Sequence, residues 1–226
     1  MPVDPAYKSG LAGHLSVNGE VMIVIIDYGL GNLGSIKNML KKIGSVSLIS
    51  SNVSDIEKAD KLILPGVGNF DQGMKNLQNS GLIGLLTDKV MGGKTPILGI
   101  CLGMQLFTQK SEEGESTGLG WIDAETVRFK FDEKQNQLKI PHMGWNLAKT
   151  YQKDALFEEM YPEPRFYFVH SYHVVCKNEN EILAKTVYGY EFVSSLRKNN
   201  IFGVQFHPEK SHKFGMKLLT NFVKLC

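Results

Sequence analysis

From Met22 onward the chain alternates two hydrophobic patterns. Residues 22–27 (MIVIID) form a continuous apolar run, whereas residues 33–43 place Leu33, Ile36, Leu40 and Ile43 at spacings of three and four. An unbroken run predicts a strand buried on both faces, and the second pattern predicts an amphipathic helix packed against it. The alternation continues, with strands expected over 46–49, 61–64 and 96–100 and helices over 70–78 and 82–90. Buried strands alternating with helices are the signature of a parallel sheet covered on both faces.

The second half changes character. Residues 121–131, 144–150, 165–175, 182–188 and 201–206 read as strands joined by short connections, and the last helix is expected over 212–225. The expected fold is therefore a single α/β domain over 22–226: a central, mostly parallel sheet flanked by helices, with an antiparallel extension. No internal repeat or low-complexity tract interrupts it. Residues 1–21 are rich in Gly, Pro, Ser and Asn without periodicity, and read as a disordered leader or expression-tag remnant. A short ordered arm is the other reading; a signal peptide would need a basic start and an unbroken apolar stretch, which this segment lacks.

Composition narrows the function classes. Lys and Arg total 25 against 23 Asp and Glu, and hydrophobic residues make up 42% of the 226, an ordinary globular balance. The near-neutral charge offers no basic stripe for a phosphate backbone, and no apolar run approaches the roughly 20 residues of a membrane helix. Neither nucleic acid nor a membrane is the expected partner. Cys101, Cys176 and Cys226 are widely spaced and odd in number, which indicates neither a disulfide framework nor a metal site and fits a reducing, cytoplasmic setting.

Two glycine motifs compete for the functional site. Gly29-Leu30-Gly31-Asn32-Leu33-Gly34 is a literal GxGxxG between strand and helix, where a dinucleotide fingerprint belongs. The following strand, however, ends Ser50-Ser51-Asn52 with no acidic residue to meet a ribose, and Asp55 comes too late. The plainer reading is a tight turn at the sheet's carboxyl edge. The second motif, Gly99-Ile100-Cys101-Leu102-Gly103, sets a nucleophile between glycines at a strand-to-helix junction, the cysteine form of the nucleophile elbow. A helix N-terminus there favours the thiolate. Cys176, in an apolar strand, and Cys226, at the chain end, read as inert side chains.

A thiolate nucleophile needs a base and a group that orients the base. Of six histidines, only His207 follows a strand and precedes a carboxylate at two residues, in His207-Pro208-Glu209. Pro208 holds His207 extended, and Glu209 can reach back to fix the imidazole tautomer. An oxyanion hole is expected from the Leu102 amide and from the turn Leu64-Pro65-Gly66-Val67-Gly68 at a neighbouring strand end.

GICLGMQ, LPGVG and GVQFHPEKS together resemble the class I (triad) glutamine amidotransferases. IIDYGLGN at 25–32, SEEG with GLGW at 111–121, PHMGWN at 141–146 and YFVHSYH at 167–173 are similar to the glutaminase subunits of imidazole glycerol phosphate synthase. The resemblance covers essentially residues 22–226. It implies a Cys101-His207-Glu209 triad, an oxyanion hole from the Gly66-Val67 peptide and Leu102, and a glutamine pocket of Gly68, Gln105, Glu113, Ser171 and Tyr172. Ser171 and Tyr172 also suit ordinary strand positions, while Gln105 lies one helical turn beyond Cys101 on the same face.

The resemblance further implies a heterodimer in which ammonia passes to a (β/α)8-barrel cyclase in histidine biosynthesis, with no cofactor and no metal. The docking face would include Gly29, Leu30, Gly31, Asn32, Trp145 and Lys210, although Trp145 equally suits a core position. Two departures from the pattern are His173, where another aromatic or an arginine is expected, and the irregular polar segment 130–139. A paralogous glutaminase feeding a sugar-modifying amidotransferase shares every catalytic motif and is separated only by its partner. A nucleotide-binding module using Gly29 to Gly34 and an unpartnered cysteine hydrolase are the more distant readings.

Overall fold

The computed structural model describes residues 21–132 and 137–226. In chain order the first half runs β1 (Ile23–Ile26), α1 (Leu33–Lys42), β2 (Ser47–Ser50), α2 (Val53–Lys58), β3 (Lys61–Gly66), α3 (Phe70–Asn79), α4 (Ile83–Thr87), β4 (Ile97–Cys101) and α5 (Leu102–Leu106). The second half runs β5 (Lys110–Ser111), β6 (Ala124–Arg128), β7 (His142–Leu147), β8 (Lys149–Thr150), β9 (Arg165–His170), β10 (Tyr172–Cys176), β11 (Ile182–Tyr188), β12 (Tyr190–Lys198), β13 (Ile201–Val204) and α6 (His212–Leu225).

The main sheet follows the order β2-β1-β3-β4-β13-β12-β10-β6-β5, with β11 pairing β12 and β8. Strands β2, β1, β3, β4 and β13 are mutually parallel, and β12, β10 and β6 continue the sheet antiparallel. The expected mostly parallel sheet with an antiparallel extension is therefore present. Alternate residues of the β1 run enter different layers: Val24 and Ile26 join Leu62, Leu64 and Phe107, whereas Ile23 and Ile25 join Leu98, Phe202 and Phe222. Helices cover both faces, so MIVII carries no polar alternation, and each such side chain contributes about 1.5–3 kcal/mol on burial.

Helix α6 closes one layer through Leu218, Leu219 and Phe222. Its last carbonyls are capped by Lys61, whose Nζ donates to the Phe222 carbonyl at 2.8 Å and to the Cys226 carbonyl; a cation at a helix C-terminus is favourably placed. Among the described residues no helix is long and apolar enough to cross a membrane.

Several boundaries differ from expectation. The run 165–175 is not one strand: the chain breaks at Ser171, leaving β9 paired with β7 in a separate two-stranded sheet and β10 in the main sheet. Residues 144–150 likewise split between β7 and β8, which lie in different sheets. The strand expected over 121–131 narrows to β6, and the helix expected over 82–90 is α4 continued by a π turn over Asp88–Gly92. Strand β12, nine residues long, and helix α2 were not anticipated. Apart from Val21, the segment 1–21 lies outside the described residues, as do 133–136 within the irregular 130–139 stretch.

Candidate active site

The site forms where three neighbouring parallel strands end. Gly66, the last residue of β3, is in register with Cys101, the last of β4, and Ile100 is in register with Val204, the last of β13. Ligands collect at the carboxyl ends of such strands.

Cys101 turns the chain from β4 into α5 with φ 54° and ψ −110°, a region rarely used by residues with a side chain and a mark of stored backbone strain. Its flanking glycines are explained by contact. A Cβ at Gly99 would lie 2.7 Å from the Met104 amide nitrogen, and one at Gly103 would overlap the Leu64 carbonyl oxygen. The turn is thus tight against both β3 and α5, and Cys101 keeps only 7% of its surface exposed.

His207 faces this cysteine from the end of β13. Its Nδ1 lies 2.8 Å from Glu209 Oε1, and both side chains are almost fully buried. The backbone amide of His207 donates to the Tyr167 carbonyl at 2.9 Å, and the Ser211 hydroxyl donates to its carbonyl at 2.6 Å, so the turn is anchored on both sides. Nε2 makes no conventional hydrogen bond and is the nitrogen free for chemistry with Cys101. Burial pushes the imidazole pKa down, but Cys101 and Glu209 outweigh it and raise the pKa to about 10. Cys101 and Glu209 therefore favour the protonated imidazole.

A cavity of about 340 Å³ opens over the pair, lined by Val67, Gly68, Cys101, Leu102, Gln105, Glu113, Ser171, Tyr172 and His207 together with Pro141, Val169 and His170. All five residues expected around glutamine line it. Glu113 is also a structural acceptor: its Oε2 takes the Phe70 amide at 2.8 Å at the start of α3, and burial raises its pKa. Gln105 Nε2 donates to the Tyr172 carbonyl at 3.1 Å and to Gln205 Oε1 at 3.0 Å.

Sequence reasoning passed over two residues here. Gln205 is fully buried and its Nε2 reaches Cys101 Sγ at 3.7 Å; a lone amide inside the otherwise apolar run IFGVQF was the available signal. Tyr28, inside IIDYGLGN, donates its hydroxyl to the Pro65 carbonyl at 2.7 Å, bracing the turn that carries Gly66 and Val67. Burial, with Cys101 nearby, holds that phenol protonated.

The residues expected at a docking face are at the surface or partly so. Trp145 is 45% exposed and stacks on His212 at 5.2 Å, while Lys210 lies over the Tyr167 ring at 5.5 Å; the core position considered for Trp145 is not the one it takes. In the loop carrying Gly29, Leu30, Gly31 and Asn32, a Cβ at Gly31 would come within 2.9 Å of Pro65. Gly34, by contrast, has open space around its Cα, whereas the third glycine of a dinucleotide fingerprint exists for close helix packing. The Ser50 hydroxyl donates to the Asp55 carboxylate at 2.6 Å, so that acid is already engaged.

His173 occupies its unexpected position as a buried neutral side chain: its Nε2 meets the Tyr190 hydroxyl at 2.9 Å, and burial lowers its pKa to about 4. Cys176 and Cys226 are partly buried thiols whose pKa values burial pushes up to about 12 and about 11, consistent with inert side chains. Among the described residues no group of three or more His, Cys, Asp or Glu is placed to hold a metal ion.

The geometry supplies a nucleophile at a strained turn, a base held in one tautomer by a carboxylate, and glycine-rich backbone beside the nucleophile, which is a set suited to acyl transfer. Residues 24–226 match the glutamine amidotransferase class-I family. The chain is 58% identical over 203 residues to an imidazole glycerol phosphate synthase subunit HisH 2 of Methanococcus maripaludis, covering 90% of this chain and 99% of that protein. It is 50% identical over 204 residues to the subunit HisH 2 of Pseudomonas aeruginosa, covering 90% and 100%. A crystal structure of a glutamine amidotransferase superposes with a TM-score of 0.66 at 19% identity, covering 89% of this chain and 97% of that one, which bears on the fold alone. On these matches the chain belongs to the class-I glutamine amidotransferase family and, within it, to the HisH subunits of imidazole glycerol phosphate synthase.

Proposed function

We propose that this chain hydrolyses glutamine at Cys101 and delivers the ammonia to a (β/α)8-barrel cyclase subunit, in the reaction that yields imidazole glycerol phosphate. The observation that carries the reading is the buried His207–Glu209 pair facing Cys101 at the floor of the cavity. In the first step the Cys101 thiolate attacks the side-chain carboxamide carbon. The oxyanion that forms is held by the Leu102 amide and the Gly66-Val67 peptide, and His207 Nε2 gives its proton to the departing ammonia. Water, deprotonated by the now neutral His207, attacks the thioester. Collapse of the second tetrahedral intermediate releases glutamate, and the proton on the imidazole restores the resting pair. Gly68, Gln105, Glu113, Ser171 and Tyr172 frame the amino-acid end of the substrate.

Free ammonia is lost to solvent or protonated, so a glutaminase of this kind works docked on its synthase. The loop Gly29, Leu30, Gly31 and Asn32, with Trp145 and Lys210, forms the docking face in this reading, and the GxGxxG loop is interface instead of a nucleotide site. The cytoplasm is the matching compartment. The test is to mix the chain with a (β/α)8-barrel cyclase and the activated ribonucleotide intermediate and to follow glutamate release and ring formation together. Stimulated glutamine hydrolysis with matched ring formation is expected. Equal glutaminase rates with and without the cyclase, or transfer only to a sugar-modifying synthetase, would overturn the assignment.

A further inference from the structure

The hydrogen bonds around Cys101 have a fixed direction, and this assigns a task to Gln205, which the mechanism above leaves unused, and a second one to Gln105. The Tyr172 carbonyl can only accept, and His170 Nδ1 lies 2.7 Å from it, so that nitrogen carries the proton. Burial holds the His170 pKa well below its usual value; the ring is neutral, and Nε2 is an acceptor. His142 Nδ1, 3.0 Å away, is then the donor to it, leaving His142 Nε2 to accept the Asn146 amide at 3.2 Å. The same Asn146 amide donates to the Val187 carbonyl at 2.9 Å.

From the other side, Gln105 Nε2 spends one hydrogen on the Tyr172 carbonyl and one on Gln205 Oε1. That leaves Gln205 only one orientation of its amide: oxygen toward Gln105, nitrogen toward Cys101 Sγ at 3.7 Å. Gln205 is fully buried and Gln105 nearly so, and a flipped amide would leave buried hydrogen-bonding groups without partners, so it is disfavoured.

We infer that Gln205 is an N–H donor that holds the Cys101 sulfur in its thiolate form, and that Gln105 is the positioning residue that aims it. The inference rests on Cys101 being the nucleophile. Gln205, the first residue after β13, then meets the sulfur from the same short segment that carries His207, whose Nε2 is free of other hydrogen bonds. The chain of bonds that fixes Gln205 continues through Tyr172, His170 and His142 to Asn146, the neighbour of exposed Trp145. The other ionisable groups around Sγ are Tyr28 beyond β1, Glu113 ahead of β6, His170 at the end of β9, and Glu209 behind His207.

The test is the pH dependence of Cys101 alkylation by iodoacetamide, read by mass spectrometry of the Cys101 peptide, alongside glutaminase kcat and KM in the complex with the cyclase. Gln205→Leu and the unbranched Gln205→Met both remove the donor at similar volume, so one folded variant suffices. The alkylation midpoint is expected to rise by about one pH unit and kcat to fall about tenfold, with KM changed less, as for loss of one charge-assisted hydrogen bond. Gln105→Met should move the midpoint the same way by less. A midpoint within about 0.3 pH unit and a kcat within about twofold of wild type in a folded Gln205 variant would overturn the inference. Cys101→Ala separates the two claims: full hydrolysis in that variant would remove the nucleophile itself, whereas loss of hydrolysis with an unmoved Gln205 midpoint removes only the donor.

Discussion

His207 and Glu209 are two residues apart, yet their side chains meet at 2.8 Å with almost no solvent contact. Pro208 between them opens a single 3-10 turn over Pro208–Lys210, which brings the carboxylate back under the imidazole. A base and its orienting acid on one short turn need no distant element to hold them in register. The pair is therefore rigid relative to β13, and β13 is in register with the strand that ends in Cys101.

That arrangement predicts a specific pH dependence. His207 has its pKa raised to about 10 in the folded chain, against about 6.5 when unfolded. Its contribution to stability is full below about pH 6.5, declines as pH rises, and is gone above about pH 10. Glu209→Gln removes one of the raising charges, so the variant should lose less stability than wild type between pH 7 and 10 in urea titrations. The same substitution leaves the imidazole tautomer unfixed and should lower glutaminase kcat by about 100- to 10,000-fold. A steeper alkaline loss in the variant would contradict the assignment.

The histidines in the aromatic cluster predict the opposite slope. Burial lowers His142 and His173 to about 4 and holds His170 well below its usual value. An unfolded chain binds these protons first, so their contribution is intact above about pH 6.5 and is lost as pH falls toward 4. His173 packs 4.7 Å from the Phe129 ring and 5.7 Å from Phe192, a setting that accepts another aromatic. His173→Phe is expected to lose about 1–2 kcal/mol less than wild type between pH 6.5 and 5. Equal losses, measured by urea unfolding at both pH values, would show that His173 takes up its proton as readily in the folded chain as in the unfolded one.

Two glycines separate close packing from cofactor binding. Gly103→Ala drives a Cβ into the Leu64 carbonyl and should destabilise the chain by about 2 kcal/mol or more while deforming the nucleophile turn. Gly34→Ala meets open space in the first turn of α1 and should be neutral or stabilising by up to about 1 kcal/mol. Thermal unfolding with and without NAD, NADP or FAD reads both. Tight, saturable dinucleotide binding that Gly34→Ala abolishes would revive the fingerprint reading.

The sequence carried the fold wherever burial was two-sided. MIVII, KLIL and PILGI read as strands because both faces are covered, and their order places the elbow correctly. It failed where polar residues are buried. β12 holds Ser194 and Ser195 fully buried, and the Ser195 hydroxyl is satisfied by the Gly203 carbonyl at 2.9 Å, a partner known only after folding. The break at Ser171 was hidden because the apolar alternation of β9 runs straight into β10; which sheet each half joins is decided by distant strands. That Cys101, His207 and Glu209 come together was legible from local turn chemistry. Gln205 and Tyr28 were not, since each acts through a contact set by the neighbouring strands.

Every step of the proposed reaction depends on glutamine being opened at Cys101 and on ammonia then leaving for the partner. The most direct measurement is Cys101→Ala assayed in the cyclase complex with glutamine and, separately, with ammonium salt as nitrogen source. Glutamate release is expected to fall by at least about a thousandfold while ammonia-driven ring formation stays at the wild-type rate. Glutamate release near the wild-type rate in a homogeneous Cys101→Ala preparation would contradict it.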